Sequence, residues 1–262
     1  MGSFHWAMIA KMQNVCTAIS GAQNASHQPT KMVKFIVLFA LLPLAFADCD
    51  EKMQTGHTTR YWDCCKQSCG WKEHGSFKNG PVQSCDIHDN PLNDNGNTRS
   101  SCDNNGGAYT CSNQQPWAVN DTFSYGFAAV KFANSNEAGW CCGCYQMEFT
   151  SGPVAGKTML IQATNTGDDY EANHFDIAMP GGGVGMFNGC SSQYNAPSQG
   201  WGEQYGGISS RDECDQLPAV LRPGCQWRFD WFKNAANPTV SFKKVKCPVE
   251  LTSKTKCIRS DE

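Results

Sequence analysis

Thr58-Thr59-Arg60-Tyr61-Trp62-Asp63-Cys64-Cys65-Lys66, continued by Ser68-Cys69-Gly70-Trp71, sets a single acid among three aromatic rings and three cysteines. Each residue type has a physical use. Oxidised cysteines pin a backbone, flat aromatic rings can pack on the C–H faces of a sugar, and a carboxyl fixed between them can move protons. A surface aspartate in a loop would give the same letters. This stretch alone does not separate the two readings.

Working outward, the redox compartment comes first. Residues Phe35 to Phe46 form an unbroken apolar run behind Lys31 and Lys34, and Ala45-Phe46-Ala47 follows the small-x-small rule for cleavage. That is the pattern of a secretory signal peptide beginning at Met32, and it is too short for a bilayer span of about 20 residues. Residues 1–31 are read as an upstream extension outside the fold, 32–47 as the signal, and 48–262 as one catalytic domain. Residues 1–47 carry Lys11, Lys31 and Lys34 and no acids, so the mature chain has 18 basic and 24 acidic residues. A mildly acidic surface argues against nucleic acid or a membrane as partner, and fits a neutral polymer. In an oxidising compartment, fourteen cysteines from Cys64 to Cys257 imply a disulfide framework. The clusters Cys64-Cys65 and Cys141-Cys142-Gly143-Cys144 lack zinc-ribbon spacing, so no metal is expected. Cys49 is left over, and Asn120-Asp121-Thr122 is an N-glycosylation sequon.

The rest of the chain is punctuated densely. Residues 86–116 are rich in Gly, Asn, Asp and Ser and read as long loops tied by Cys85, Cys102 and Cys111. Period-two alternation at Tyr145, Met147 and Phe149, and again at Trp227, Phe229 and Trp231, predicts strands, as do Met159 to Thr164 and Val240 to Val245. Ser210-Arg211-Asp212-Glu213 is a capping-box pattern that opens a short helix ending near Pro218. Short strands with long loops point to a mainly β fold of barrel type. No second cysteine module and no linker follow Cys257, so a carbohydrate-binding module is not expected.

Several chemistries fail on the residues. There is no G-x-S-x-G elbow and no His-Glu-x-x-His helix, and Gly181-Gly182-Gly183-Val184-Gly185 breaks the dinucleotide fingerprint at Met186. Copper-dependent oxidative cleavage would need histidine at the mature terminus, where Asp48 stands. Paired carboxylates remain: glycoside hydrolysis needs one acid to protonate the leaving oxygen and one carboxylate to activate water or attack the sugar. The second candidate is Asp176 in Asn173-His174-Phe175-Asp176-Ile177, where apolar neighbours could raise a carboxyl pKa; a strand-end aspartate capping a turn is the alternative. Asp168, Asp169 and Glu171 form an acidic loop just before it. Trp62 and Trp71 are candidate platforms for sugar faces.

The opening stretch resembles the signature of glycoside hydrolase family 45 endoglucanases. The likeness continues through Gln115 to Asn120, Asn134 to Cys142, Asn173 to Asp176, Pro180 to Gly185, Tyr205 to Arg211 and Trp227 to Asn234, and covers nearly all of Thr58 to Cys257. The resemblance implies a six-stranded double-psi β-barrel with long disulfide-tied loops, a few short helices and an open groove. It implies endo-acting hydrolysis of β-1,4-glucosidic bonds with inversion, no cofactor, a monomer, and a secreted, extracellular site of action on a β-glucan polysaccharide. By motif position Asp63 would be the general base and Asp176 the general acid, with Asp169 assisting. Thr59, Tyr61 and His174 would line the catalytic centre, and Trp71 would stack on a sugar. The implied bridges are Cys64 with Cys190, Cys65 with Cys102, Cys69 with Cys141, Cys85 with Cys111, Cys142 with Cys257, Cys144 with Cys247 and Cys214 with Cys225. The alternative is a non-hydrolytic, expansin-like wall-loosening protein, a class that shares the barrel and an aspartate like Asp176 but lacks the partner base.

Overall fold

Nine strands and four short α-helices make up the computed structural model, which describes residues 53–104, 106–167 and 173–262. The longer strands are β1 (Gln54–Tyr61), β5 (Phe123–Lys131), β6 (Cys144–Phe149), β7 (Thr158–Thr166), β8 (His174–Ala178) and β9 (Thr239–Val245). They pair in the order β5-β7-β6-β9-β1-β8, and β8 pairs back onto β5, which closes a six-stranded barrel. The pairs β1–β8 and β5–β7 are parallel and the others antiparallel, as expected for the double-psi barrel. Closure leaves these six strands no free edge. The two-residue strands β2 (Ser84–Cys85) and β3 (Tyr109–Thr110) pair with each other, and β4 (Trp117–Ala118) lies on β5.

The expected alternation at Tyr145, Met147 and Phe149 forms β6, with all three side chains buried. Phe175 and Phe242 meet edge to face at 4.8 Å, and Phe132 packs on both. The second predicted alternation is corrected: Trp227, Phe229 and Trp231 are not a strand, because helix α3 occupies Arg222–Asp230. Here α1 is Glu137–Trp140, α2 is Cys190–Tyr194 and α4 is Val249–Thr255. Residues four apart share a helix face as well as a strand face, and the Trp227 and Trp231 rings stack at 5.4 Å around that helical turn. The Trp227 indole donates to Ser124 and the Trp231 indole to the Asn120 carbonyl, which docks α3 against the barrel. The predicted capped helix is a short 3₁₀ segment, Asp212–Gln216, and Glu213 reaches back to the Ser209 backbone N–H.

Seven disulfides join the fourteen cysteines in the pairing the resemblance implies. Two of them, Cys64–Cys190 and Cys65–Cys102, hold the segment that leaves β1. Residues 86–116 are mostly irregular and tied by Cys65–Cys102 and Cys85–Cys111, as read. Cys49, the signal segment and the upstream extension lie outside the described residues.

Candidate active site

The parallel pairing of β1 and β8 builds the centre. Its register sets Thr59 opposite Asp176 and His57 opposite His174. Asp176 therefore stands in mid-strand, between Thr59 on one side and Ala129 of β5 on the other, and not at a strand end. The β5–β7 register shifts between Ala128 and Ala129, where β5 turns to meet β8, and such bulges re-aim side chains at barrel rims. Thr59 Oγ1 donates to Asp176 Oδ1 at 2.6 Å and lies 2.8 Å from His174 Nε2. His174 and Asp176 are two residues apart on one strand, so they share a face and one hydroxyl reaches both. Burial lowers the His174 pKa to about 4, with the nearby His57 charge adding to the effect, so the ring is neutral at ordinary pH.

Asp63 follows β1, two residues after the strand ends at Tyr61. Trp62 N–H donates to the Gly183 carbonyl and Gly189 N–H to the Asp63 carbonyl, so the segment is tied to the glycine-rich loop before its side chain is placed. Cys64 has φ near 63°, an unusual value for a side-chain-bearing residue, and its disulfide to Cys190 holds it there. Asp63 Oδ1 accepts from Cys65 N–H at 2.9 Å. Burial pushes the Asp63 carboxyl up to about 7; the Cys65 bond opposes this and the Asp176 charge adds to it. The residue as a whole keeps partial exposure. Tyr61, two residues before Asp63, accepts from Asn165 at 3.1 Å, and burial together with the Asp63 charge holds its phenol protonated.

A groove of about 300 Å³ opens over Asp176, lined by Thr59, Arg60, Tyr61, Gln204, Tyr205 and Asn237 among others. Tyr61 also borders a small space with Asp63, Trp62 and Gln67, so its ring stands between the two carboxyls' surroundings. The glycine-rich loop floors the groove. A side chain at Gly182 would come within 2.8 Å of the Met179 carbonyl and 3.1 Å of the Tyr61 backbone, so only glycine allows this approach. Arg60 donates to the Gly206 carbonyl, and the Asp176 charge partly offsets the lowering of its pKa by burial.

The structure thus brings together Thr59, Tyr61, His174 and Asp176, with Asp63 coupled to them through charge. Trp71 is not among the groove-lining residues; its ring is capped by Lys66 Nζ at 3.3 Å. Asp169 lies outside the described residues. Sequence reasoning gave no site role to Arg60, Gln204, Tyr205 or Asn237. Tyr205 carried one signal: it precedes two glycines in a stretch with no apolar neighbour to bury it until Ile208.

The family model for glycosyl hydrolase family 45 matches residues 55–258. This chain belongs to that family. It is a glycoside hydrolase of family 45, and its relatives carry matching names. An endoglucanase of Cryptopygus antarcticus is 49% identical over 87% of this chain and 99% of its own length. A putative endoglucanase type K of Fusarium oxysporum is 53% identical over 79% of this chain, which spans 54% of that relative. The crystal structure of the cellulase from the Antarctic springtail Cryptopygus antarcticus superposes with a TM-score of 0.77 at 50% identity, covering 80% of this chain and all of the other. The fold described above is therefore shared with a solved cellulase.

Proposed function

We propose that the chain is a secreted endo-β-1,4-glucanase that hydrolyses internal bonds of cellulose and related β-glucans with inversion. The observation that carries this reading is a pair of carboxyls in unlike environments: Asp176 on the parallel β1–β8 pair over the groove, with Thr59 as its partner, and Asp63 two residues past the end of β1, crowded, bonded to Cys65 N–H and sensing the Asp176 charge. Unlike environments let two identical groups take opposite roles. Asp63 is the base: ionised, it draws a proton from water as the oxygen attacks the anomeric carbon. Its raised pKa makes it a stronger base than an ordinary carboxylate while leaving it ionised above neutrality. Asp176 is the acid that protonates the departing oxygen. When protonated it can donate to Thr59, whose own proton then turns to the neutral His174 Nε2, so the cluster accommodates both protonation states. Asp169, seven residues before Asp176 in the chain, assists. An inverting pair is expected to stand about 6.5–9.5 Å apart to admit the water.

Residues 48–262 form the catalytic domain released after the signal peptide, and it acts as a monomer outside the cell. The bridges suit an oxidising compartment, and among the described residues no helix is long and apolar enough to cross a membrane. The groove is lined by neutral polar and aromatic groups as well as Arg60 and Asp176, which suits an uncharged polysaccharide. An expansin-like role without hydrolysis leaves Asp63 and its buried setting without a use. One observation favours a second reading with the roles exchanged: the raised Asp63 pKa is also what a general acid needs.

Asp63→Asn and Asp176→Asn should each abolish release of reducing ends from β-glucan while leaving the fold intact, and unchanged release by either would sink the proposal. An aryl cellobioside with a good leaving group separates the roles, since its departure needs no protonation. Asp176→Asn should keep activity on it and Asp63→Asn should not; the reverse pattern exchanges the assignments.

A further inference from the structure

Residues 48–262 hold one N-x-S/T sequon, Asn120-Asp121-Thr122; the near match Asn237-Pro238-Thr239 is barred by its proline. The fold sets this sequon in the short connection between β4 and β5, where Val119 N–H and Asn120 N–H both donate to the Phe123 carbonyl. Asn120, Asp121 and Thr122 are all exposed. Exposure is ordinary at a hairpin tip and by itself selects nothing.

The orientation of the Asn120 amide makes the position a site. Its side-chain oxygen accepts from Thr122 N–H at 2.9 Å, from Thr122 Oγ1 at 3.1 Å and from Phe123 N–H at 2.8 Å. A backbone N–H can only donate, so the atom inside this turn is Oδ1 and the atom left outside is Nδ2. The turn therefore seats the threonine hydroxyl on the amide oxygen and leaves the nitrogen to solvent. A substituent on Nδ2 breaks none of the three bonds. The position is also clear of the groove. Ala129, the β5 partner of Asp176, lies six residues along the strand from Phe123, about 20 Å at the rise of an extended strand. None of residues 117–123 lines the groove, and among the described residues β4 pairs only with β5, so bulk at this tip crowds no neighbouring strand.

We propose that Asn120 is an N-glycosylation site and carries an oligosaccharide in the secreted protein. This rests on the secretory part of the reading above and extends it to a covalent modification. The donor class is an oligosaccharide joined through pyrophosphate to a lipid, delivered by the host's transferase in the secretory lumen. In the transfer a bond forms between Nδ2 and the anomeric carbon of the first sugar, and the bond from that carbon to the pyrophosphate oxygen breaks. The lipid pyrophosphate leaves with the electron pair, and the amide gives one proton to a base of the transferase. The fold accepts the product as it stands, because Oδ1 keeps its bonds to Thr122 and Phe123.

The test expresses the full chain in a eukaryotic secretory host and weighs the protein that reaches the medium. Its mass should exceed that of the polypeptide by a ladder of sugar units, and peptide mapping should place the excess on Asn120. Peptide-N-glycosidase should remove it and leave aspartate at that position. Asn120→Asp should emerge at the bare polypeptide mass with a thermal midpoint near that of the deglycosylated wild type, since a carboxylate oxygen accepts the same bonds. Thr122→Ala should also lose the excess mass, while Thr122→Ser keeps a hydroxyl and with it the glycan. If Asn120→Asp or Thr122→Ala fails to fold, wild type before and after the glycosidase decides. kcat/KM on a soluble β-glucan should be the same before and after removal, given the distance from Asp176. Secreted wild type at bare mass overturns the proposal, as does an excess mass that resists the glycosidase or survives in Asn120→Asp. A chain that is never exported brings down the secretory reading and this proposal together; an exported chain without a glycan brings down the proposal alone.

Discussion

Replacing Asp63 by asparagine should make the protein more stable above neutrality while removing its activity. Asparagine matches aspartate in shape and can still accept from Cys65 N–H, so the packing and the 2.9 Å bond survive. The charge does not. Burial raises the folded-state carboxyl from its ordinary 3.8 to about 7. Between those values the folded protein holds a proton that the unfolded chain has released, so wild-type stability falls as pH rises through that window. The penalty is absent near pH 4, where folded Asp63 is neutral, and complete by pH 8. Roughly three pH units correspond to about 4 kcal/mol, an upper bound because solvent reaching the partly exposed residue screens its charge. At about 2–4 °C per kcal/mol for a domain of this size, Asp63→Asn should melt several degrees above wild type at pH 8 and level with it at pH 4. Differential scanning calorimetry at the two pH values reads this directly. A shift of equal size at both, or a lower midpoint for the variant at pH 8, would refute the claim that a destabilising buried anion sits at Asp63.

The same pKa sets the acid limb of activity: kcat/KM should fall about ten-fold per pH unit below about 7, because the base must be ionised, and initial rates on soluble β-glucan will show it. Thr59→Val removes the hydroxyl shared by Asp176 and His174 and should lower kcat by roughly ten- to a hundred-fold with little change in KM; equal effects on both would point to substrate binding instead. Gly207→Ala should destabilise by about 2 kcal/mol or more, since φ is +74° and a side chain there would run into the Gly181 carbonyl; chemical denaturation measures it. Removing the Cys64–Cys190 bridge with paired serines should cost about 2–4 kcal/mol of stability and reduce activity further than the stability loss explains, because the bridge also holds Asp63 in place.

Legibility in the sequence followed apolar pattern. Strand β6 was readable because Tyr145, Met147 and Phe149 alternate with polar residues. Strand β1, which carries Thr59 and delivers Asp63, was not readable that way: Gln54–Tyr61 buries a glycine and a threonine where an apolar residue would announce a core face. Gly56 lies under Phe242, and Thr58 donates to the Pro238 carbonyl, so its burial depends on partners far along the chain. Helix α3 was mistaken for a strand because tryptophans four apart satisfy both periods. The pairing of fourteen cysteines came from family resemblance, since spacing alone permits many connectivities. At the site, the acids and their aromatic neighbours could be named from motifs. What could not be read was the register that sets Thr59 opposite Asp176, or the turn that brings Tyr205 to the groove, because both depend on backbone hydrogen bonds between distant segments.

The stereochemistry of the first product formed tests the central claim most directly. Proton NMR of a soluble β-glucan digest, followed from the first minutes, resolves the anomeric signals of new reducing ends before they equilibrate. A base at Asp63 that activates water against an acid at Asp176 predicts that the α-anomer appears first, inverted from the β-linkage. First appearance of the β-anomer would mean retention through a covalent intermediate and would contradict the mechanism proposed for this pair of aspartates.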